Sequence, residues 1–445
     1  MRILALFTLV SASLPAQTIA IENVNVVPMD RARVVSKQTV IVKDGRIAEI
    51  GAAGRVRVPD GVTRVDGANK YLVPGFAEMH GHLPGPGTPP QVTENILFLY
   101  VANGVTTVRG MLGHPSHLEM RKRIEDGSVL GPKLYVAGPA LSGQSATSVD
   151  IARQMVRDQK AAGYDHLKIQ EGLSREVYDA IVATANEVRI PFAGHVPNDV
   201  GVHRAIEARQ VSIDHLDNYV EGIEADDSPL KDADPQRRGR ELPFHLDERK
   251  IEPLAKKTRD AGIWMVPTMA LWEVFNSTDT PESLAARPEM KYMPKSMVDQ
   301  WAAAKQKMLA SVDPKGGARI LEVRKKILRA LYDAGAPIAF GTDSPQIFSV
   351  PGFSIHREAP IMVACGMKPY DVLRSLTRNV AEYFGTLSDS GTVQPGKRAD
   401  LVLLESDPLK DVGALSRRAG VFVRGRWLPE SEIQARLRAL AESRP

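Results

Sequence analysis

The spacing of hydrophobic and polar positions changes twice along the chain. Before Pro74 the two kinds of residue alternate as they do in β-strands, for example over Ile19–Met29. The alternation returns near the C-terminus, as in Gly420–Leu428. These patterns predict one small β-sandwich domain formed by residues 17–73 and 391–430, and a C-terminal helix or tail over 431–445.

Between these regions, short apolar runs alternate with longer amphipathic stretches such as Glu176–Val188 and Ile320–Gly335. The runs typical of strands are Gly75–His82, Val105–Arg109, Lys133–Ala137, His166–Gln170, Ile190–His195, Val211–His215, Ile263–Pro267 and Ala336–Asp343. Eight strand-and-helix units in succession predict an α/β fold, a closed (β/α)₈ TIM barrel over residues 74–390 that is inserted into the β domain.

Composition and charge exclude several classes of function. The chain is 43% hydrophobic and 25% charged with a net charge of +4, which is typical of a folded globular protein. Its basic residues are dispersed, so we expect no nucleic-acid partner. The single cysteine, Cys365, excludes an intrachain disulfide and a cysteine-based zinc site.

The N-terminus has the pattern of an export signal. Arg2 precedes a short apolar run, Ile3–Leu14, and small residues follow it. The run is too short to span a membrane. We expect residues 1–16 to be a signal peptide and the protein to be periplasmic or secreted; an irregular first strand of a cytosolic enzyme is the alternative.

Metal-ligand residue types end several predicted barrel strands. His80 and His82 are two residues apart on the first strand and therefore point to the same face. Three further residues end the fifth, sixth and eighth strands: His195, His215 and Asp343. Because barrel active sites lie at the carboxyl ends of the strands, these five side chains predict a metal site there.

Lys168 ends the fourth strand and would point inward among these ligands. A charged ammonium beside divalent cations would be repelled and costly to desolvate. A neutral amine can take up CO₂ and form a carbamate, whose two oxygens can bridge two metals. The alternative is a lysine that pairs with Asp343 or with the substrate.

Several motifs together resemble the amidohydrolase superfamily over nearly the whole chain. The segments that carry this resemblance are PGFAEMHGH at 74–82, GVTT at 104–107, SIDH at 212–215, GTDS at 341–344 and GTVQPGKRADL at 391–401. Within the superfamily, the chain looks most like the imidazolonepropionase-related branch, which holds binuclear Xaa-Pro and Xaa-Arg dipeptidases and ochratoxin-type amidases.

The resemblance implies a hydrolase that cleaves amide bonds in small molecules, namely dipeptides or N-acyl amino acids. Its cofactors would be two divalent metal ions, and Zn²⁺ is the ion expected. Carboxylated Lys168 and a hydroxide would bridge the ions; His80, His82 and Asp343 would hold one, and His195 and His215 the other. Asp343 would take the proton of the attacking hydroxide and pass it to the leaving nitrogen.

Three further residues are predicted to face the substrate. Tyr219 follows His215 and could donate to the oxyanion, while His356 and Arg357 follow the eighth strand and could bind a carboxylate. A packing role is the alternative for Tyr219, and the start of a surface helix is the alternative for His356 and Arg357.

Other functions stay open on the sequence. The same binuclear site could serve a lactone, ester or organophosphate hydrolase, and a single metal without carboxylation of Lys168 could serve a deaminase or cyclic-amide hydrolase. A binding protein without catalysis would be expected to lack ligands, and none is missing. A homo-oligomer is compatible with the sequence.

Overall fold

A computed structural model describes residues 18–311 and 313–443 of the chain. The predicted signal peptide over residues 1–16 lies outside the described residues. Within them, the structure confirms a barrel-type α/β fold with a separate small β domain.

Strands from both ends of the chain form the small β domain as one eight-stranded sheet, in the order β15-β14-β13-β5-β1-β2-β3, with β4 paired to β1. Antiparallel pairing of β13 with β5 joins the C-terminal segment to the N-terminal one. The strands are β1 (Ile19–Val26), β2 (Val35–Lys43), β3 (Arg46–Ala52), β4 (Thr63–Asp66), β5 (Tyr71–Pro74), β13 (Leu401–Leu404), β14 (Arg418–Val423) and β15 (Arg426–Pro429).

Seven short parallel strands form the barrel wall in two groups, β6-β7-β8 and β9-β10-β11-β12. Isolated bridges, such as that between Ala137 and His166, connect the two groups. The strands are β6 (Phe76–Gly81), β7 (Val105–Gly110), β8 (Lys133–Val136), β9 (Leu167–Ile169), β10 (Phe192–Gly194), β11 (Ser212–Asp214) and β12 (Trp264–Val266).

The predicted eighth strand, Ala336–Asp343, does not form a regular strand. It closes the barrel through single bridges, from Ile338 to Met265 and from Ser344 to Gly81. Two features explain the difference. Asp343 has a φ of 61°, outside the β region, and the amide of Thr342 donates to a side chain, that of Glu78, in place of a neighbouring strand.

Helices cover the outside of the barrel. The predicted helix over Ile320–Gly335 is part of a longer one that ends at a left-handed Gly335, with a φ of 81°. The helices are α1 (Pro90–Ala102), α2 (Ser116–Glu125), α3 (Val149–Ala162), α4 (Arg175–Val188), α5 (Gly201–Glu207), α6 (Pro235–Glu241), α7 (Ile251–Asp260), α8 (Met269–Asn276), α9 (Pro281–Ala285), α10 (Lys295–Ser311), α11 (Pro314–Ala334), α12 (Ile355–Ala364), α13 (Pro369–Leu376), α14 (Arg378–Tyr383) and α15 (Glu430–Glu442). None of the described helices is long and apolar enough to cross a membrane.

Candidate active site

Four histidine rings meet at the carboxyl ends of the barrel strands. The ring centroids of His80 and His215 lie 4.3 Å apart, and those of His195 and His215 lie 4.7 Å apart. His82 completes the group, with its centroid 5.6 Å from that of His80. The structure therefore brings together side chains that come from β6 and from the ends of β10 and β11.

Hydrogen bonds fix the orientation of three of these rings through their Nδ1 atoms. The partners are Asp214 Oδ2 at 2.6 Å for His80, Asp217 Oδ2 at 2.6 Å for His195, and Thr268 Oγ1 at 2.8 Å for His215. A partner at one ring nitrogen sets the tautomer and leaves the other nitrogen free to bind a metal. The sequence prediction did not include these three partners.

The Nε2 atoms of His80, His82 and His215 all lie within 3.9 Å of a carboxylate oxygen of Asp343. Asp343 Oδ1 lies 2.9 Å from His82 Nε2 and 3.6 Å from His80 Nε2. Neither Asp343 Oδ1 nor His215 Nε2 has a hydrogen-bond partner among the described residues, although both atoms are buried. Unpartnered buried polar atoms that converge on one point are costly without a cation, so these residues fit a metal centre. Ligand atoms of His80, His82 and Asp343 all lie within 4.8 Å of one another.

The protonation states favour ligation. Burial, and then the nearby Lys168, lower the pKa of His80 to about 3, and burial holds the pKa of His215 well below its usual range. Burial alone would raise the pKa of Asp343, but the surrounding histidines, His82 first, hold it well below its usual range. The site thus presents neutral imidazoles at His80 and His215 and an ionised carboxylate at Asp343, which are the forms that bind metals.

Lys168 lies among the ligands. Its side chain is buried, and its Nζ atom lies 3.1 Å from His80 Nε2. Burial lowers the pKa of this lysine to about 8, against the opposing effect of Asp214 and Asp343. A substantial fraction of the amine is therefore neutral near neutral pH and able to act as a nucleophile.

Left-handed backbone conformations concentrate at the site. His215 has a φ of 62°, Asp343 of 61° and Thr268, the partner of His215, of 47°. Such conformations are costly for residues other than glycine, and costliest for a β-branched one such as Thr268. Their presence in two ligands and one ligand partner indicates that the fold holds these side chains in place against local preference.

A sequence model of the amidohydrolase family matches residues 71–428, which is most of the chain. The chain belongs to the amidohydrolase family. Its sequence is 41% identical over 86 residues to an imidazolonepropionase of Deinococcus deserti, a match that covers 19% of this chain and 21% of that protein. It is 23% identical over 360 residues to ochratoxinase of Aspergillus niger, which covers 70% of this chain and 62% of that protein.

The matches thus span less than two thirds of the length of either relative. The crystal structure of a Xaa-Pro dipeptidase with bound methionine superposes with a TM-score of 0.68 at 18% identity, over 93% of this chain and 100% of that one. At that identity the likeness shows the shared fold. The chain thus has the fold of its family, and its grouped His80, His82 and Asp343 side chains could hold a metal ion.

Behind the ligands, this amidohydrolase has a buried arginine that sequence reasoning missed. Arg109 is fully buried, and its Nη2 atom donates to both oxygens of Asp214, at 2.8 and 3.1 Å. Its Nη1 atom donates to Ser212 Oγ and to Tyr383 Oη, each at 2.8 Å. Arg109, with His80, holds the pKa of Asp214 well below its usual range, although burial opposes this. A charged residue within the apolar strand β7 was the signal that could have found it.

The structure corrects the prediction for Tyr219. Its hydroxyl hydrogen-bonds with Thr258 Oγ1 at 2.7 Å, and the residue is 1% exposed. Leu216 and Asn218, with φ values of 52° and 60°, turn the chain back after His215. Tyr219 is therefore in the hydrophobic core, against α7, and not over the metal site.

His356 and Arg357 lie in the first turn of α12 and have partners within the protein. His356 Nε2 pairs with Asn103 Oδ1 at 3.0 Å, and Arg357 Nη2 forms an ion pair with Glu289 at 2.5 Å. Their place at the start of α12 agrees with the helix-start alternative, and a substrate contact for them stays a prediction.

Proposed function

We propose that this amidohydrolase cleaves amide C–N bonds of dipeptides or N-acyl amino acids with two bound divalent cations. The observation that carries the proposal is the group of buried, unpartnered ligand atoms at the barrel mouth, with Lys168 Nζ 3.1 Å from one of the histidines. The amide class is supported by relatives whose names are ochratoxinase and Xaa-Pro dipeptidase.

In this proposal His80, His82 and Asp343 hold one cation, and His195 and His215 hold the other. Lys168, carboxylated, would supply the bridging oxygens, and Zn²⁺ is the ion we expect for this donor set. When bound, the cations supply Lewis acidity that lowers the pKa of a water molecule and polarises the scissile carbonyl.

Asp343 is the proton carrier. Its Oδ2 atom accepts a hydrogen bond from Gln346 Nε2 at 3.0 Å, while its Oδ1 atom has no hydrogen-bond partner. The held oxygen fixes the carboxylate, and the other is free to take the proton of the attacking water. Asp343 then donates this proton to the leaving nitrogen, which would otherwise depart as an unstable amide anion.

We further propose that the protein acts in the periplasm or outside the cell, on the basis of the signal pattern over residues 1–16. Fractionation of cells that express the full chain tests this, with N-terminal sequencing of the exported form. Export with loss of about the first 16–20 residues is the expected result, and retention of the intact chain in the cytoplasm would contradict it.

The substrate class is tested by a hydrolysis panel of Xaa-Pro and other dipeptides, N-acyl amino acids, lactones and carboxylic esters. The protein is stripped with a chelator, dialysed and reconstituted with Zn²⁺. We expect amide hydrolysis that is lost on stripping and restored by Zn²⁺. Faster turnover of lactones or esters than of every amide, or activity that chelation does not change, would contradict the proposal.

Two variants, one at the site and one as a control, are assayed on the same substrates. Asp343→Asn removes the proton carrier and should abolish amide hydrolysis. Asp299→Asn is the matched control, because Asp299 is exposed and pairs only with Lys295 one helical turn away. It should retain the activity of the wild type.

A further inference from the structure

The carboxylate of Glu78 lies in the seam between β6 and the segment that closes the barrel. Glu78 is fully buried and lies two residues before His80. Its Oε1 atom accepts hydrogen bonds from the backbone amides of His80, at 2.9 Å, and Thr342, at 2.8 Å. Its Oε2 atom accepts from the hydroxyl of Thr342 at 2.5 Å.

This carboxylate takes the place of one backbone hydrogen bond between β6 and the closing segment. On one side of it, the Met79 amide donates to the Phe340 carbonyl at 2.8 Å. On the other, the His82 amide donates to the Ser344 carbonyl at 2.8 Å. The Met79 carbonyl, which could have accepted from the closing segment, instead accepts from Arg109 Nε.

The backbone approaches Glu78 closely at this point. A β-carbon on Gly341 would lie 3.1 Å from Glu78 Oε1, 3.0 Å from the His80 nitrogen and 2.5 Å from a methyl group of Val266. Glycine is therefore required beside the carboxylate. The carboxylate and the two segments that it joins are packed without room for adjustment.

Each segment carries metal-ligand side chains. His80 is on β6 and His82 directly follows its last residue, while Asp343 directly follows Thr342 on the closing segment. The Glu78 carboxylate binds the backbone amides of His80 and Thr342, and so it joins β6 to the closing segment. A change in the length of this side chain would therefore alter the separation of the two segments. We infer that Glu78 is a positioning residue that sets the distance between these histidines and Asp343, and this inference rests on the proposed metal site.

This positioning role depends on the length of the Glu78 side chain and on the number of its acceptor atoms. Glu78→Gln preserves the length; its amide oxygen can accept from both backbone amides, and its amide group can donate to the Thr342 hydroxyl. That hydroxyl can then donate to Ser344 Oγ, which lies 3.1 Å away. Glu78→Asp is shorter by one methylene and cannot keep both segments at the same separation.

Tyr100 offers a matched control in the same seam. Its hydroxyl donates to the Ser344 carbonyl at 2.6 Å, and it is as fully buried as Glu78. Tyr100→Phe loses this hydrogen bond, but the Ser344 carbonyl keeps its bond from the His82 amide. It should lower the stability of the seam without changing the separation of the ligands.

The experiment measures the dissociation constant for Zn²⁺ by chelator competition, together with the melting temperature, for the wild type and each variant. We expect Glu78→Asp to weaken binding about 10- to 100-fold, as for other residues that orient ligands, and Glu78→Gln to restore affinity to within about threefold. Tyr100→Phe should lower the melting temperature and leave Zn²⁺ affinity unchanged. If Glu78→Asp does not fold, Thr342→Val should still weaken binding measurably. It removes the hydroxyl's bonds to Glu78 Oε2 and Ser344 Oγ and keeps the backbone amide bond to Glu78 Oε1.

Wild-type affinity in Glu78→Asp or, where that variant does not fold, in Thr342→Val would overturn this inference alone, as would an equal loss of affinity in Tyr100→Phe. Failure of Glu78→Gln to restore affinity would also overturn it. A wild-type protein that binds no Zn²⁺ would overturn the proposed function, and this inference with it.

Discussion

The Nζ atom of Lys168 lies 3.1 Å from the Nε2 atom of His80, in a region from which solvent is excluded. His80 is held in the neutral form, with its Nδ1 atom bonded to Asp214. A lysine in this position has no carboxylate at ion-pairing distance among the described residues. The relationship fits a lysine that is converted into an anionic ligand better than one that stays cationic.

Carboxylation of Lys168 should depend on pH. With a pKa of about 8, about half of the Lys168 amine is neutral at pH 8, against roughly one in 250 for an ordinary lysine. At fixed dissolved CO₂, carbamate formation in the metal-free protein should rise with pH. The rise should be steepest below about 8, where the ammonium must lose one proton before it reacts and the carbamic acid releases another, and less steep above it, where only the second proton is lost. A ¹³C NMR carbamate signal from ¹³C-labelled bicarbonate measures this, and Lys168→Met is the control in which the signal should be absent.

Asp343→Asn should lower kcat by at least about a hundredfold, since it removes a proton carrier, while part of the bound metal remains. The remaining ligands, the four histidines and Lys168, still converge in this variant. Steady-state kinetics with metal analysis of the same sample gives both quantities. Full activity would rule out the assigned role of Asp343.

Asp214→Asn should weaken metal binding about 10- to 100-fold. The variant loses the charge that orients His80, and its amide group would face either Arg109 or His80, both of which donate in the wild type. Titration with Zn²⁺ measures the effect. Ser212→Ala is the matched control. It removes one hydrogen bond to Asp214 and one from Arg109, but it keeps the bonds of Asp214 to Arg109 Nη2 and to His80; its affinity should stay near that of the wild type.

Tyr219→Phe tests the corrected position of this residue. Because its hydroxyl bonds to Thr258 within the core, the variant should lose about 1 kcal/mol of unfolding free energy and keep kcat/KM within about twofold. Urea unfolding and kinetics on the same preparation measure the two effects. A large loss of kcat with unchanged stability would contradict this position and support a role for Tyr219 in catalysis.

The sequence predicted the barrel and the grouping of the candidate ligand side chains because both follow from local regularities. A strand of period two places His80 and His82 on one face, and the strand-and-helix repeat aligns the remaining ligands at one end. The arginine beneath them was not predictable in this way. Its partners, Ser212, Asp214 and Tyr383, are more than 100 residues distant, and only the folded barrel brings them together.

The contacts of Tyr219 and Arg357, which the sequence did not predict, have a local cause and a distant one. Tyr219 was placed by continuing the direction of β11, but the left-handed Leu216 and Asn218 reverse the chain before it. Arg357 was expected to meet a substrate, but it meets Glu289, a carboxylate 68 residues earlier. Neither a left-handed turn without glycine nor a partner so far away has a signature in a single sequence.

Metal content tests the central claim most directly. The wild-type protein and Lys168→Met are reconstituted with Zn²⁺ in the presence of bicarbonate, freed of excess metal, and assayed by elemental mass spectrometry against protein concentration. The proposed site predicts about two ions per wild-type chain and a clear decrease in the variant. About one ion per chain in both proteins would contradict a centre that Lys168 bridges.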